Sequence, residues 1–253
     1  MSNYVISDLH GHFALYNMLL KTINFSNKDT LYVLGDAIDR GPDGIKILQD
    51  IMKRDNVVFL PGNHEDMMCM VIRSIYDDLP QREILCERWW LNGGEVTARE
   101  LYKLEDSEII KIEKFIRNSP LEVKVEINNK VFVMAHATPL NMTKKEYEEK
   151  CNSFSKVDNI NIEEIPTYKK MLLWKRVEKD HIYPKDIIAI FGHTPTSYYQ
   201  NCRPYKIWEY ENKICLDCSL ANYHLKNKNS RLGCLCLDDL SKIYITREML
   251  ERY

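Results

Sequence analysis

Six side chains have the types and spacing of a ligand set for divalent metal: Asp8, His10, Asp36, Asn63, His136 and His193. Carboxylate, amide oxygen and imidazole together suit Mn²⁺, Fe or Zn²⁺ better than Ca²⁺, which takes oxygen alone, or an ion selected by thiolates. One open catalytic ion needs fewer donors than these, whereas two ions bridged by a carboxylate would use them all. Such a pair can polarise a phosphoryl group, acidify a water and clamp both attacking and leaving oxygens.

Each donor sits where a short apolar run stops. Tyr4-Val5-Ile6-Ser7 leads into Asp8-Leu9-His10-Gly11, and Leu31-Tyr32-Val33-Leu34 into Gly35-Asp36-Ala37-Ile38-Asp39-Arg40-Gly41. Val57-Val58-Phe59-Leu60 leads into Pro61-Gly62-Asn63-His64-Glu65, residues 131–135 into His136, and residues 187–192 into His193. Runs of this kind read as buried strands, and open α/β sheets bind ligands beyond the carboxyl ends of their strands. Alone, the Asp36-x-x-Asp39-Arg40 string would also fit a surface turn closed by an ion pair. Five repeats of one layout point instead to a polar cluster at one rim of a sheet.

The intervening sequence supplies the scaffold. Leu15, Met18, Leu19 and Ile23 share a helical face over 13–23, and Ile45, Leu48 and Met52 share one over 45–53. Alternation of strands and helices predicts parallel pairing with right-handed crossovers. From 65 to 120 the pattern is helical and predicts a cap beside the active rim. In it Met67, Met68, Met70, Val71 and Ile75 are expected in the core, Trp89-Trp90-Leu91-Asn92-Gly93-Gly94 closes a helix on a positive-φ glycine, and 97–104 and 108–117 form two more helices. Residues 121–127 alternate apolar and charged side chains, and Asn128-Asn129 turns them into 131–135 as a hairpin. Residues 141–166 are charged and weakly periodic, which predicts a mobile insertion. Residues 206–245 read as a β meander.

Bulk properties narrow the function classes. The chain has 253 residues and a formal net charge of −2, with Lys and Arg scattered, which argues for one domain with a substantial core and against a nucleic-acid clamp or a membrane-surface helix. No leader pattern opens the sequence and no long apolar span follows, so a cytoplasmic monomer is expected. The eight cysteines are then expected as thiols. Cys215-x-x-Cys218 with Cys234-x-Cys236 could suggest zinc, but Cys234 and Cys236 fall two apart in a strand, on one sheet face, and read as apolar fillers. His12 is expected in solvent at a helix start, and His181 and His224 at the surface or satisfied.

Three strings in order, Asp8-x-His10-Gly11, Gly35-Asp36-x-x-Asp39-Arg40-Gly41 and Gly62-Asn63-His64-Glu65, resemble the signature of the phosphoprotein phosphatase family of metallophosphoesterases, its compact bacterial and phage-lambda-type members above all. His136 and Gly192-His193-Thr194 match the two later histidines of that family. The resemblance implies a four-layer α/β/β/α sandwich with two divalent ions, Mn²⁺ first. Asp8 and His10 would hold one ion, Asp36 would bridge, and Asn63, His136 and His193 would hold the other. A metal-bridging hydroxide would attack phosphorus in line. His64 would protonate the leaving oxygen with Asp39 orienting its ring, and Arg40 and Arg176 would neutralise phosphate oxygens. Arg176 rests on the short Leu173-Trp174-Lys175-Arg176 context and could instead pair with Glu178 or Asp180. Leu216-Asp217-Cys218-Ser219 departs from the pattern, having no glycine after the late strand.

The function expected first is a protein phosphatase acting on phosphoserine or phosphothreonine, with phosphotyrosine as a further substrate. The alternative keeps the metals and changes the substrate to a dinucleoside tetraphosphate cleaved symmetrically. A silent scaffold for phosphoproteins is the third reading, and the complete donor set with His64 argues against it.

Overall fold

The structure is a computed structural model. It describes residues 1–158, 166–199, 205–221 and 229–251. Two five-stranded mixed sheets make its centre. The first runs in the order β10 (Lys242–Thr246), β9 (Arg231–Cys236), β1 (Asn3–Ile6), β2 (Thr30–Leu34), β3 (Val57–Leu60). The second runs β4 (Glu122–Ile127), β5 (Lys130–Ala135), β6 (Ile187–Phe191), β8 (Lys213–Cys215), β7 (Trp208–Tyr210). The α/β sandwich read from the sequence is what forms.

The strand period explains the layers. Successive side chains of a strand point to opposite faces, and β1 to β3 carry apolar residues on both. Ile6, Leu31, Val33 and Phe59 enter one core with helices α1 (Phe13–Thr22), α2 (Gly44–Ile51) and α3 (Asn63–Tyr76). Val5, Tyr32, Leu34 and Leu60 enter a second core, between the sheets, where they meet Phe132, Met134, Ile190 and Ile214. The outer face of the second sheet is covered by Val177, Tyr183 and Tyr199 against Val133, Ala189 and Phe191. Edge strand β4 keeps Lys124 and Glu126 in solvent, a charged edge that discourages pairing with another chain. Its turn, Asn128-Asn129, has φ +51° and +61°, the left-handed pair that a two-residue hairpin needs.

Helices α4 (Arg82–Leu91), α5 (Glu95–Leu101) and α6 (Asp106–Asn118) fill the stretch expected to be helical. Trp89, Leu101, Ile112 and Ile116 join Met67, Met68 and Val71 in the core of the first sheet, but Met70 and Ile75 are exposed and depart from expectation. Their faces of α3 turn away from the sheet.

The structure bears on three more expectations. Part of the insertion is a helix, α7 (Lys144–Asp158). It has no strong apolar stripe. A reciprocal Thr143–Glu146 capping box starts it, and Lys144–Glu148 and Lys145–Glu149 ion pairs one turn apart run along it. Residues 159–165 of the insertion lie outside the described residues. The meander is split, because β7 and β8 pair in the second sheet while β9 crosses to pair antiparallel with β1. His12 is buried at the start of α1.

Cys234 packs in the core as filler, and the described cysteines are all free. His181 is half-buried against Tyr183, and His224 lies outside the described residues. Among the described residues, no helix is long and apolar enough to cross a membrane.

Candidate active site

β1, β2 and β3 run parallel, as do β5, β6 and β8, so their carboxyl ends meet at one rim. There Asp8 and His10 follow β1, Asp36 follows β2, Asn63 and His64 open α3 behind β3, His136 follows β5 and His193 follows β6. Side-chain to backbone hydrogen bonds lash the two sheets together at this rim. His136 Nδ1 donates to the Leu34 carbonyl at 2.8 Å, and the His193 N–H lies 3.1 Å from Asp8 Oδ2. The close approach needs glycine: a Cβ on Gly192 would stand 2.1 Å from Asp8 Oδ2, and one on Gly62 2.1 Å from Asp36 Oδ1. Asp8, His10, Asp36, Asp39, Arg40 and His193 all take positive φ, between 42° and 68°.

Backbone carbonyls fix the histidine tautomers. With Nδ1 of His136 bonded to Leu34, its Nε2 presents a lone pair 3.0 Å from Asn63 Oδ1 and 3.4 Å from Asp36 Oδ1. His193 is held the other way round. Its Nε2 donates to the Trp174 carbonyl at 3.1 Å, leaving the Nδ1 lone pair 3.0 Å from the same Asn63 oxygen. Burial pushes His136 down, and burial with neighbouring His136 pushes His193 down to about 3, so both rings are neutral near pH 7. Asp36 Oδ1, Asn63 Oδ1, His136 Nε2 and His193 Nδ1 therefore converge as acceptors with no proton among them. A divalent cation satisfies such a set, and apolar burial without one is costly.

The other half of the site centres on the second Asp36 oxygen. His10 Nδ1 bonds to the Ile38 carbonyl at 3.2 Å, and its Nε2 lies 3.7 Å from Asp36 Oδ2 and accepts from Arg40 Nη1 at 2.9 Å. Burial and then Arg40 push His10 well down. His10, Asp36 and His64 have ligand-competent atoms within 4.8 Å of one another, as do Asp36, His136 and His193, so Asp36 belongs to both groups. Asp8, expected as a ligand beside His10, also accepts from the His193 amide, and burial, then Asp217 and Asp36, push it well up.

His64 is the exception among the site histidines. Burial disfavours its charged form, but the carboxylates of Asp36 and Asp39 outweigh burial and raise it. Its Nδ1 meets Asp39 Oδ2 at 2.6 Å, and its Nε2 accepts from Arg40 Nη2 at 3.1 Å. The half-buried Arg40 guanidinium thus bridges His10 and His64. Arg176 is exposed at the rim, its Cζ 5.0 Å from the Tyr198 ring, and its charge adds to the lowering of His193. It makes no ion pair with Glu178 or Asp180.

Three residues that sequence reasoning left without a role hold the site in shape. Glu65, wholly buried, accepts from the amides of Gly62, Asp36, Ala37 and Ile38, tying the second motif to the third; burial, then Asp36, push it up to about 7. Asp217 follows β8 just as the other donors follow their strands, and burial pushes it up to about 6. The strand-then-carboxylate pattern of Leu216-Asp217 was the available signal.

Trp89 donates from Nε1 to Asp39 Oδ2 at 2.8 Å. Asp39 Oδ1 finds no partner among the described residues, so this bond and the His64 ring are what hold the buried carboxylate. Trp89→Phe removes the donor and puts a smaller ring where the buried indole stood. It is expected to lower stability by at least about 1.5–3 kcal/mol, the range for hydrogen bonds to charged groups, with the cavity adding to it, measured by urea denaturation.

Residues 1–226 match the family of calcineurin-like phosphoesterases, and the chain belongs to it. Members act on phosphoester bonds through a dinuclear divalent metal centre, and the His and Asp groups described above could hold one. Among sequence relatives, the symmetrical bis(5'-nucleosyl)-tetraphosphatase of Wigglesworthia glossinidia brevipalpis is 38% identical over 90 residues, 34% of this chain and 33% of that protein. The protein of the same name from Proteus mirabilis is 30% identical over 139 residues, 54% of this chain and 44% of its own length. The matches thus span from a third to under half of those relatives. Among solved structures, a proposed diadenosine tetraphosphatase superposes with a TM-score of 0.59 at 17% identity, covering 96% of this chain and 92% of that one. A protein serine/threonine phosphatase from Saccharomyces cerevisiae gives 0.54 at 16% identity, covering 96% and 78%. These structural likenesses speak to the fold alone.

Proposed function

We propose that the chain is a metal-dependent hydrolase that cleaves dinucleoside tetraphosphates symmetrically, into two nucleoside diphosphates. The observation that carries this reading is the shared name of the sequence relatives, which favours what the sequence alone offered as the alternative over the phosphoprotein substrate expected first.

In this reading Asp8, His10 and Asp36 hold one divalent ion, and Asp36, Asn63, His136 and His193 the other, with Mn²⁺ the first candidate. The ions supply an acidified water and polarisation of the attacked phosphorus. The chain's own groups do the rest. Asp39 fixes the His64 ring so that a proton on Nε2 faces the leaving bridge oxygen; a P–O bond to water forms, the central P–O–P bond breaks, and the diphosphate leaves with that proton. Arg40 lowers His64 while it donates to it. Turning Arg40 to a phosphate oxygen removes that contact, so substrate binding itself favours the protonated acid. Arg176 at the rim meets a further phosphate oxygen.

The test is hydrolysis by Mn²⁺-supplemented protein of diadenosine tetraphosphate beside phosphoserine, phosphothreonine and phosphotyrosine peptides. The expected result is ADP as the nucleotide product, with kcat/KM at least about a hundredfold above the peptides, a gap of about 2.7 kcal/mol. AMP with ATP as products, or peptides faster by that margin, would sink the reading.

A further inference from the structure

The carboxyl end of α4 faces the site at three points. Trp89 reaches Asp39, the Gly93 carbonyl accepts from the Arg40 amide at 3.1 Å, and Arg88 reaches the Trp174 ring. The Arg88 Cζ lies 4.5 Å from the centroid of the Trp174 ring. Trp174 is the residue whose carbonyl holds His193 and whose ring stands edge-on to that imidazole, centroids 6.5 Å apart. Arg88 therefore reaches from α4 the residue that holds His193.

The surroundings of Arg88 fit an anion. It is exposed, and among the described residues its guanidinium meets an aromatic face and no carboxylate. Arg176, two residues beyond Trp174, repeats the arrangement on Tyr198. A guanidinium lying on a ring has its plane fixed while its N–H edge stays free to donate, the geometry that suits planar, two-point recognition of phosphate. A phosphomonoester brings a single phosphoryl group, which the half-buried Arg40 serves from within the site. A polyphosphate brings negative charge on both sides of the bond that breaks, and it alone needs cations beyond Arg40.

We propose that Arg88 is a specificity-determining residue, forming with Arg176 a subsite for the phosphates beyond the one attacked. The proposal rests on the dinucleoside tetraphosphate reading. It distinguishes a polyphosphate ester from a simple monoester through charge, with no contribution from the bases.

The experiment compares wild type, R88A and R88K on diadenosine tetraphosphate and on p-nitrophenyl phosphate, with inorganic tripolyphosphate and orthophosphate as inhibitors of the second reaction. R88A is expected to lower kcat/KM for the tetraphosphate about 30-fold and to weaken tripolyphosphate inhibition by a similar factor, the size of one lost charge-assisted bond. Cleavage of p-nitrophenyl phosphate falls less than about threefold and orthophosphate inhibition holds, while R88K recovers part of the loss because it keeps charge without the fork. Equal losses on both substrates would make Arg88 structural and overturn the proposal, as would undiminished tripolyphosphate inhibition. Failure of wild type to cleave the tetraphosphate would overturn the substrate reading instead. The tripolyphosphate arm would still decide the subsite.

Discussion

Stripped of divalent ions by exhaustive chelation, the protein is expected to lose hydrolysis by about 10⁴-fold or more, since metal stabilisation of the transition state is worth several kcal/mol. The donor set is the reason. Around Asn63 Oδ1, two neutral imidazole lone pairs and an Asp36 oxygen face one another at 3.0 to 3.4 Å, and no side-chain proton relieves them. Such a cluster in a buried site stabilises the fold only with a cation in it, so the expectation has a second readout. Elemental analysis of protein reconstituted with Mn²⁺ should give two ions per chain, and its thermal midpoint should rise with free Mn²⁺ as mass action requires. Full activity after chelation, or a midpoint indifferent to metal, would contradict the assignment of these residues.

His64→Gln is expected to reduce kcat on diadenosine tetraphosphate by about 10²–10⁴-fold, the span typical of a general acid, with metal content unchanged. The pH profile separates this role from a structural one. Against burial, the carboxylates of Asp36 and Asp39 raise His64, so the ring stays protonated to higher pH than an ordinary histidine. An acid must be protonated to act, hence kcat falls as pH rises through its pKa. Asp39→Asn removes one of the two raising carboxylates and should move that alkaline limb to lower pH. In His64→Gln the limb should vanish. Loss of metal with His64, or a limb that stays in place in both variants, would instead make His64 a ligand beside His10 and Asp36, with which its ring nitrogens are grouped.

What the sequence made legible were the strand ends. An apolar run that stops at a metal-competent side chain is a local pattern, and five such stops point Asp8, Asp36, Asn63, His136 and His193 to one rim. Roles that depend on distant partners were not legible. Glu65 matters because it catches amides of 36–38, and Trp89 because Asp39 lies across from it. Neither relation has a periodicity. Helix α7 was not legible for the opposite reason: its support is ion pairs and a cap, which apolar spacing does not register. The split of the late strands likewise follows from β9 finding β1, more than two hundred residues away, over its neighbour in sequence. Substrate class lay beyond pattern altogether, since the same metal-binding rim serves esters and anhydrides.

The left-handed backbone at Asp8, His10, Asp36, Asp39, Arg40 and His193 has an evolutionary consequence. Each such residue costs of order 1–3 kcal/mol where glycine would cost little. Selection for thermal stability alone would therefore erode these loops first, exchanging half-buried members such as Arg40 for glycine and gaining a more relaxed fold that no longer turns over. Turnover and robustness draw on the same few positions, and the chain keeps the former by holding six side chains where the backbone would least choose to place them.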